Sequence, residues 1–246
     1  MQKASFQTTY DNEKTYWWYQ ARADIVEHIF ARIAGTVPRE ILNIGCGTGF
    51  ISRRFEKFGQ VLSLDYSADA LQFCAANRLD ALAQASGVSL PLKTESFDAC
   101  LALDVIEHIR EDTLAVQEIS RVLKPGGLLL ATVPAFQWMW SKMDELGHFR
   151  RYTKSRFGEL LKNAGLKPLI FSYYSFFLFP LAVPHRFYER LFKTKMEAGD
   201  FIPPLPASIN KMFYHIFRWE RVWLGYLSFP FGLSILALAE KTRKES

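Results

Sequence analysis

Gly45, Gly47 and Gly49 stand two apart at the end of the short apolar run "ILNI", residues 41–44. Glycine is favoured where the backbone needs positive φ or where a neighbour must come very close. Where a buried strand hands over to a helix, that neighbour is a phosphate, a ribose, an amino-acid group or simply the next strand. Asp65 closes the apolar run "VLSLD", 20 residues beyond Gly45. A carboxylate there offers two oxygens to the paired hydroxyls of a ribose. A second group of chemically capable side chains lies further on: Trp140, His148, Arg150, Arg151 and Tyr152. An imidazole whose ordinary pKa is near neutrality is a candidate general base. Two guanidinium groups can grip a carboxylate or phosphate bidentately.

The elements around these residues alternate in period. Helical spacing of apolar residues covers 23–34, 50–58, 67–78 (Ser67 placed as N-cap), 111–123 and 155–166, the last closed by Gly165. Strand-like runs fall at 41–44, 61–65, 80–85, 97–104, 128–134 and 167–175, and "KPGG" at 124–127 reads as the stop of the preceding helix. Strands that are apolar almost throughout and alternate with helices form a parallel sheet covered on both faces. This is an α/β, Rossmann-like chain, and such sheets bind ligands at the carboxyl ends of their strands. The alternation stops at 176. Residues 176–231 are rich in aromatics, arginine and proline ("FIPPLP" at 201–206), and a last strand follows at 234–241.

Four motifs in order resemble the class I S-adenosylmethionine-dependent methyltransferases: "ILNIGCGTG", "VLSLDYS", "LPLKTESFDACLALDVIEHI" and "EISRVLKPGGLLLATVP". The resemblance covers roughly residues 38–175 plus the final strand. It implies a seven-stranded, mostly parallel sheet with helices on both faces, the last strand antiparallel and tucked between its neighbours. It also implies S-adenosylmethionine as cofactor, leaving as S-adenosylhomocysteine. Carried over residue by residue, Gly45, Cys46, Gly47 and Gly49 form the turn at the methionine end, and Asp65 accepts from the ribose. Tyr66 packs near the adenine, Ser86 and Gly87 lie at its amino group, and Asp104 and Val105 line the cofactor and face the acceptor. Asn43 and Ser86 stand where the family usually has acids. The side chain of Cys46 reads as small packing within the turn. "GHFRRY" (147–152) is similar to a Gly-His-x-Arg-Arg-Tyr signature in a subset of the family, some of whose members are associated with glycan and lipid biosynthesis. "YWWYQAR" (16–22) resembles the same subset's N-terminal lid. His108 reads as a loop anchor and Glu107 as a cap of the following turn.

These assignments divide the chain into a helical lid segment (1–37), the cofactor-binding core (38–175), a helical insertion (176–231) and the last strand with its tail (232–246). The expected reaction is methyl transfer to a small or lipid-linked acceptor, at oxygen, with His148 as base and Trp140, Arg150, Arg151 and Tyr152 at the acceptor. Two rivals stand beside it. A dinucleotide oxidoreductase would want G-x-G-x-x-G, a spacing not found here. A catalytically silent cofactor-binding or membrane-associated scaffold would tolerate Asn43.

Net charge is +5 overall, but −3 over residues 1–140 and +7 over 141–196. That asymmetry suits an anionic acceptor, an anionic membrane surface or a solvated face. Two uncharged runs, 168–184 and 222–239, approach the length of a membrane span, yet prolines break both. The arginine- and aromatic-rich helices between them suit peripheral contact or a cover over an apolar pocket. No nucleic-acid-binding module is recognisable. Cys46, Cys74 and Cys100 are too few and scattered for a disulfide framework or a zinc site, so a reduced cytoplasmic setting without metal is expected.

Overall fold

The apolar runs become strands β1 (Arg39–Ile44), β2 (Gly59–Asp65), β3 (Leu82–Gln84), β4 (Phe97–Leu103), β5 (Leu123–Pro134), β6 (Leu166–Tyr174) and β7 (Ser234–Lys241). A computed structural model describes residues 3–35, 39–142, 144–192 and 205–243. The lid boundary at 37–38 and most of the proline-rich stretch at 201–206 lie outside the described residues.

The strands form one sheet in the order β3-β2-β1-β4-β5-β7-β6. Pairing is parallel from β3 to β5, and β7 runs antiparallel to both β5 and β6. Central strands covered on both faces need apolar residues in both phases of the pleat. Thus Ile41 and Leu42 on β1, and Leu101 and Ala102 on β4, are all fully buried. Burying one such leucine or isoleucine contributes about 1.5–3 kcal/mol. The strand order reverses between β1 and β4, which opens a crevice at their carboxyl ends.

Helices α1 (Lys3–Thr15), α2 (Trp17–Ala34), α3 (Phe50–Phe55), α4 (Ala68–Ala76), α5 (Asp112–Val122) and α6 (Lys154–Asn163) surround the sheet. Ser67 caps α4 as expected, accepting from the Ala70 amide at 3.3 Å. Two elements differ from the sequence reading. The helix expected from residue 23 begins at Trp17, and a separate α1 precedes it. "KPGG" lies inside β5, where the pairing with β4 shifts register and Gly126 takes φ +80°. A bulge absorbs the glycines within the strand.

The insertion supplies α7 (Phe179–Phe192) and α8 (Ala207–Trp223). One face of α8 packs on α2: Asp24 accepts from the Tyr214 hydroxyl and from Arg218 Nε, each at 2.6 Å. The fully buried Glu220 accepts from the Ser175 amide at 2.7 Å and the Phe177 amide at 3.0 Å. Burial outweighs those bonds and pushes its carboxyl up to about 7. The opposite face exposes Ile209, Met212, Ile216, Trp219 and Trp223, an apolar stripe at three- and four-residue spacing. Among the described residues no helix is long and apolar enough to cross a membrane.

Candidate active site

The crevice is a cleft of about 680 Å³, within the usual size for a small-molecule site. Each parallel strand that reaches it contributes the residues just past its carboxyl end or at that end: Gly45 after β1, Asp65 and Tyr66 from β2, Ser86 and Gly87 after β3, Asp104 and Val105 after β4. The structure therefore brings together these seven residues from separate parts of the chain.

Gly45, Gly47 and Gly49 all have positive φ (+67°, +56° and +79°). They answer different needs. A Cβ on Gly45 would come within 2.5 Å of Val105 Cγ2, and one on Gly49 would strike Leu79. A Cβ on Gly47 would meet nothing within 4 Å, so the space over this residue is open to a ligand. The turn is held in place by Asp65, whose Oδ2 accepts from the Gly47 amide and whose Oδ1 accepts from the Ser67 amide, both at 2.9 Å. Each oxygen retains a lone pair for a hydroxyl donor. Tyr66 is 79% exposed at the rim, where its ring can stack on a planar group.

Asp104 adopts φ +56°, an uncommon conformation for a residue with a side chain. Its Oδ1 accepts from the Thr132 hydroxyl at 2.8 Å, and its Oδ2 pairs with Arg22 Nη2 at 2.8 Å. Arg22 belongs to "YWWYQAR" on α2 and reaches the cleft residue Asp104. The same helix start is also packed, with the Trp17 ring 5.2 Å from that of Phe213 on α8. Glu13, at the end of α1, accepts from the Thr48 hydroxyl in the glycine turn. Burial raises its carboxyl to about 7 against the opposing effects of Thr48 and Arg22. Arg22 ends the "YWWYQAR" motif, whereas no sequence signal singles out Glu13.

Four residues expected at the cofactor, Asn43, Cys46, Gly47 and Gly49, are not among those that line the cleft, and two of them turn their side chains elsewhere. Asn43 is buried and donates to Ser52 Oγ at 2.9 Å, which also receives the Ser63 hydroxyl at 2.7 Å. Where an acid would need a charged partner, the amide completes a neutral knot between β1, β2 and α3. Cys46 turns its thiol into a pocket with Cys74 (Sγ to Sγ 4.0 Å) and Leu79. That leaves it the packing role that its size suggests.

The loop after β5 is closed at its base: the Phe136 amide donates to the Tyr152 carbonyl at 2.8 Å, and the Tyr152 amide to the Pro134 carbonyl at 2.9 Å. Within it, the fully buried Asp144 takes a bidentate pair from Arg151 (2.7 and 2.9 Å), a 2.6 Å contact from His148 Nδ1, and the amide and hydroxyl of Ser141. Burial opposes the charge, yet these partners hold its carboxyl well below the usual range. Arg150 pairs with Asp112 at 2.6 Å, and the buried Tyr152 donates to the same carboxylate at 2.9 Å. The residues expected at the acceptor thus already have partners within the protein. Arg150, Arg151 and Tyr152 are engaged in building the loop, and Trp140 is half-buried away from the cleft. His148 remains half-buried with one nitrogen bonded to Asp144. The cleft wall instead includes His108, Ile109, Arg110 and Phe149, the Arg110 guanidinium lying 4.9 Å from the Phe149 ring centroid. An adjacent "HIR" after a strand end is a faint sequence signal for the first three.

Residues 42–131 match the family model described as a methyltransferase domain. The chain is 32% identical over 135 residues to a malonyl-[acyl-carrier protein] O-methyltransferase of Enterobacter lignolyticus, covering 50% of this chain and 53% of that protein. It is 32% identical over 106 residues to a ubiquinone biosynthesis O-methyltransferase of Nitrobacter winogradskyi, covering 40% of each. The chain thus spans about half or less of the length of these curated relatives. Among solved structures it is similar to a Haloferax volcanii protein crystallised with the Trm112 methyltransferase activator. That match has a TM-score of 0.65 at 16% identity, and covers 99% of this chain and 96% of the other. At such identity the likeness shows the fold alone, a Rossmann-like, mostly parallel seven-stranded sheet with helices on both faces.

Proposed function

We propose that this chain transfers the methyl group of S-adenosylmethionine to an oxygen of a small or lipid-linked acceptor. The observation that carries the reading is the cleft itself: a glycine turn with open space over Gly47, and an Asp65 carboxylate fixed beside it by two backbone amides. In this reading Asp65 holds the ribose, Tyr66, Ser86 and Gly87 hold the adenine, and Gly45, Gly47 and Val105 border the methionine end. Arg22, paired with Asp104, and Glu13, which accepts from Thr48 in the turn, lie beside the place a zwitterionic amino-acid end would take. S-adenosylmethionine, when bound, supplies an electrophilic methyl on a good leaving group, so alignment and exclusion of water supply most of the acceleration. The match of residues 42–131 to a methyltransferase domain supports the reading.

Oxygen is favoured because the chain holds a base in place. A proton on Nδ1, which faces the Asp144 carboxylate, would leave His148 Nε2 to take one from a hydroxyl. A lipid-linked acceptor is favoured by the apolar stripe of α8, which suits contact with the inner face of a membrane by a protein otherwise cytoplasmic. Calorimetry with S-adenosylmethionine, followed by detection of S-adenosylhomocysteine over a panel of hydroxylated lipid-linked and soluble acceptors, tests the reading. Binding and turnover with a hydroxylated acceptor are expected. Binding of a nicotinamide dinucleotide in place of S-adenosylmethionine would return the oxidoreductase rival, and cofactor binding without turnover on any acceptor would return the silent scaffold.

A further inference from the structure

The turn after β4 and the loop after β5 are stitched together. The Phe149 amide donates to the Glu107 carbonyl at 2.9 Å, and Arg150 Nη2 donates to the Arg110 carbonyl at 2.6 Å. The stitching brings Glu107, His108 and His148 into one cluster, a ligand-capable atom from each lying within 4.8 Å of the others. The two imidazole rings meet edge to face with centroids 4.5 Å apart.

Glu107 is the anomaly in this cluster. It is fully buried, and neither carboxylate oxygen has a hydrogen-bond partner among the described residues. It does not cap the turn, as its position in sequence suggests it would. A buried carboxylate left that way is destabilising unless it is protonated or faces a cation. The imidazoles, by contrast, are oriented from behind. His148 Nδ1 faces Asp144 Oδ1 at 2.6 Å, and His108 Nδ1 faces the Gly147 carbonyl oxygen at 3.0 Å. A carboxylate and a carbonyl behind two histidines are the partners that fix metal-binding imidazoles, placing the proton on Nδ1 and leaving Nε2 to ligate. Asp144 is itself immobilised by Arg151 and Ser141, so this outer support is rigid.

We propose that Glu107, His108 and His148 bind one divalent transition-metal cation of the zinc or manganese class at the wall of the cleft. Two imidazoles and one carboxylate suit such ions and leave coordination positions open. Magnesium, which prefers oxygen ligands throughout, suits the set poorly. His108 also lines the cleft, so the site borders the space an acceptor would fill. The role of the cation rests on the methyl-transfer reading. A cation held by these residues would lower the pKa of an acceptor hydroxyl, whose proton would pass to water and whose oxygen would form the bond to the methyl carbon as the carbon–sulfur bond breaks. In that state His148 is a ligand and the base is no longer needed.

The test uses the whole chain, stripped with EDTA, dialysed and titrated calorimetrically with zinc chloride and with manganese chloride. One equivalent of at least one of the two is expected to bind, with a matching rise in Tm. Glu107→Gln and His148→Ala should each weaken that binding at least about tenfold. Glu107→Gln preserves the shape of the side chain and should keep the fold, as circular dichroism would show, so it decides the matter should His148→Ala unfold. Absence of stoichiometric binding by the wild type overturns the proposal, as does binding that Glu107→Gln leaves unchanged. S-adenosylmethionine titrated into the same samples separates the two readings. Cofactor binding without metal rejects the metal site alone, and metal binding without cofactor rejects methyl transfer alone.

Discussion

The cleft and the loop that borders it use charge in opposite ways. At the carboxyl end of β2 a charged side chain holds backbone and stays open to a ligand: Asp65 fixes the glycine turn yet keeps lone pairs facing the cleft. In the loop after β5, charged side chains hold one another. Arg151 and His148 converge on Asp144, and Arg150 converges on Asp112. A run of basic residues in sequence therefore overstates the positive charge a ligand would meet. The arginines build the wall, and the acid they leave without a hydrogen bond among the described residues is Glu107.

That contrast can be broken experimentally, beginning with its largest consequence. Arg151→Ala should leave Asp144 buried with only part of its support and cost about 3–5 kcal/mol of stability in urea unfolding, as removing one partner of a buried pair does. Were Arg151 an acceptor-binding residue instead, stability would be nearly unchanged and only turnover would fall. Asp65→Ala should weaken S-adenosylmethionine binding by about 2–3 kcal/mol in calorimetry, the loss expected for charge-assisted hydrogen bonds. An unchanged dissociation constant would make Asp65 a brace for the turn and nothing more.

The smallest effect belongs to the insertion. Glu220, whose carboxyl sits near 7 in the folded chain against an ordinary 4.5, favours the folded state while it is protonated. Its contribution is complete below about pH 4.5 and is lost as pH rises from there through about 7, because the unfolded chain releases the proton first. Glu220→Gln should flatten that part of the stability–pH curve, for which the size of the shift sets a ceiling of about 3 kcal/mol. Thermal melts of both proteins between about pH 4.5 and 8 would show it, and parallel curves would assign the pH dependence to other groups such as Glu13.

Most of the sheet is legible in the sequence because its signals are local. An uninterrupted apolar run marks β7 at its observed bounds, and the position of Ser67 ahead of a helical period marks it as a cap. What is not legible depends on contacts between distant residues. The polar α1 shows no apolar period to mark it, and it is held through Glu13 on Thr48. In sequence Arg150 looks available for an anion because Asp112, 38 residues earlier in the chain, gives no sign of facing it. Glu107 and His108 are visible in "IEH", but only folding shows that they meet His148 and that the acid has no hydrogen-bond partner among the described residues.

The position of β7 also governs the order in which this chain can be completed. Both of its sheet neighbours precede it in sequence, and it separates them in space. As the polypeptide leaves the ribosome, β5 therefore presents a bare, apolar strand edge until residues 234–241 arrive, while β6 and α6 have no sheet to join. Such an edge is a template for pairing with other chains. During synthesis the protein passes through an interval in which most of its sheet is complete but open on one side. Cellular yield should depend on how long that interval lasts more than on the stability of the finished fold.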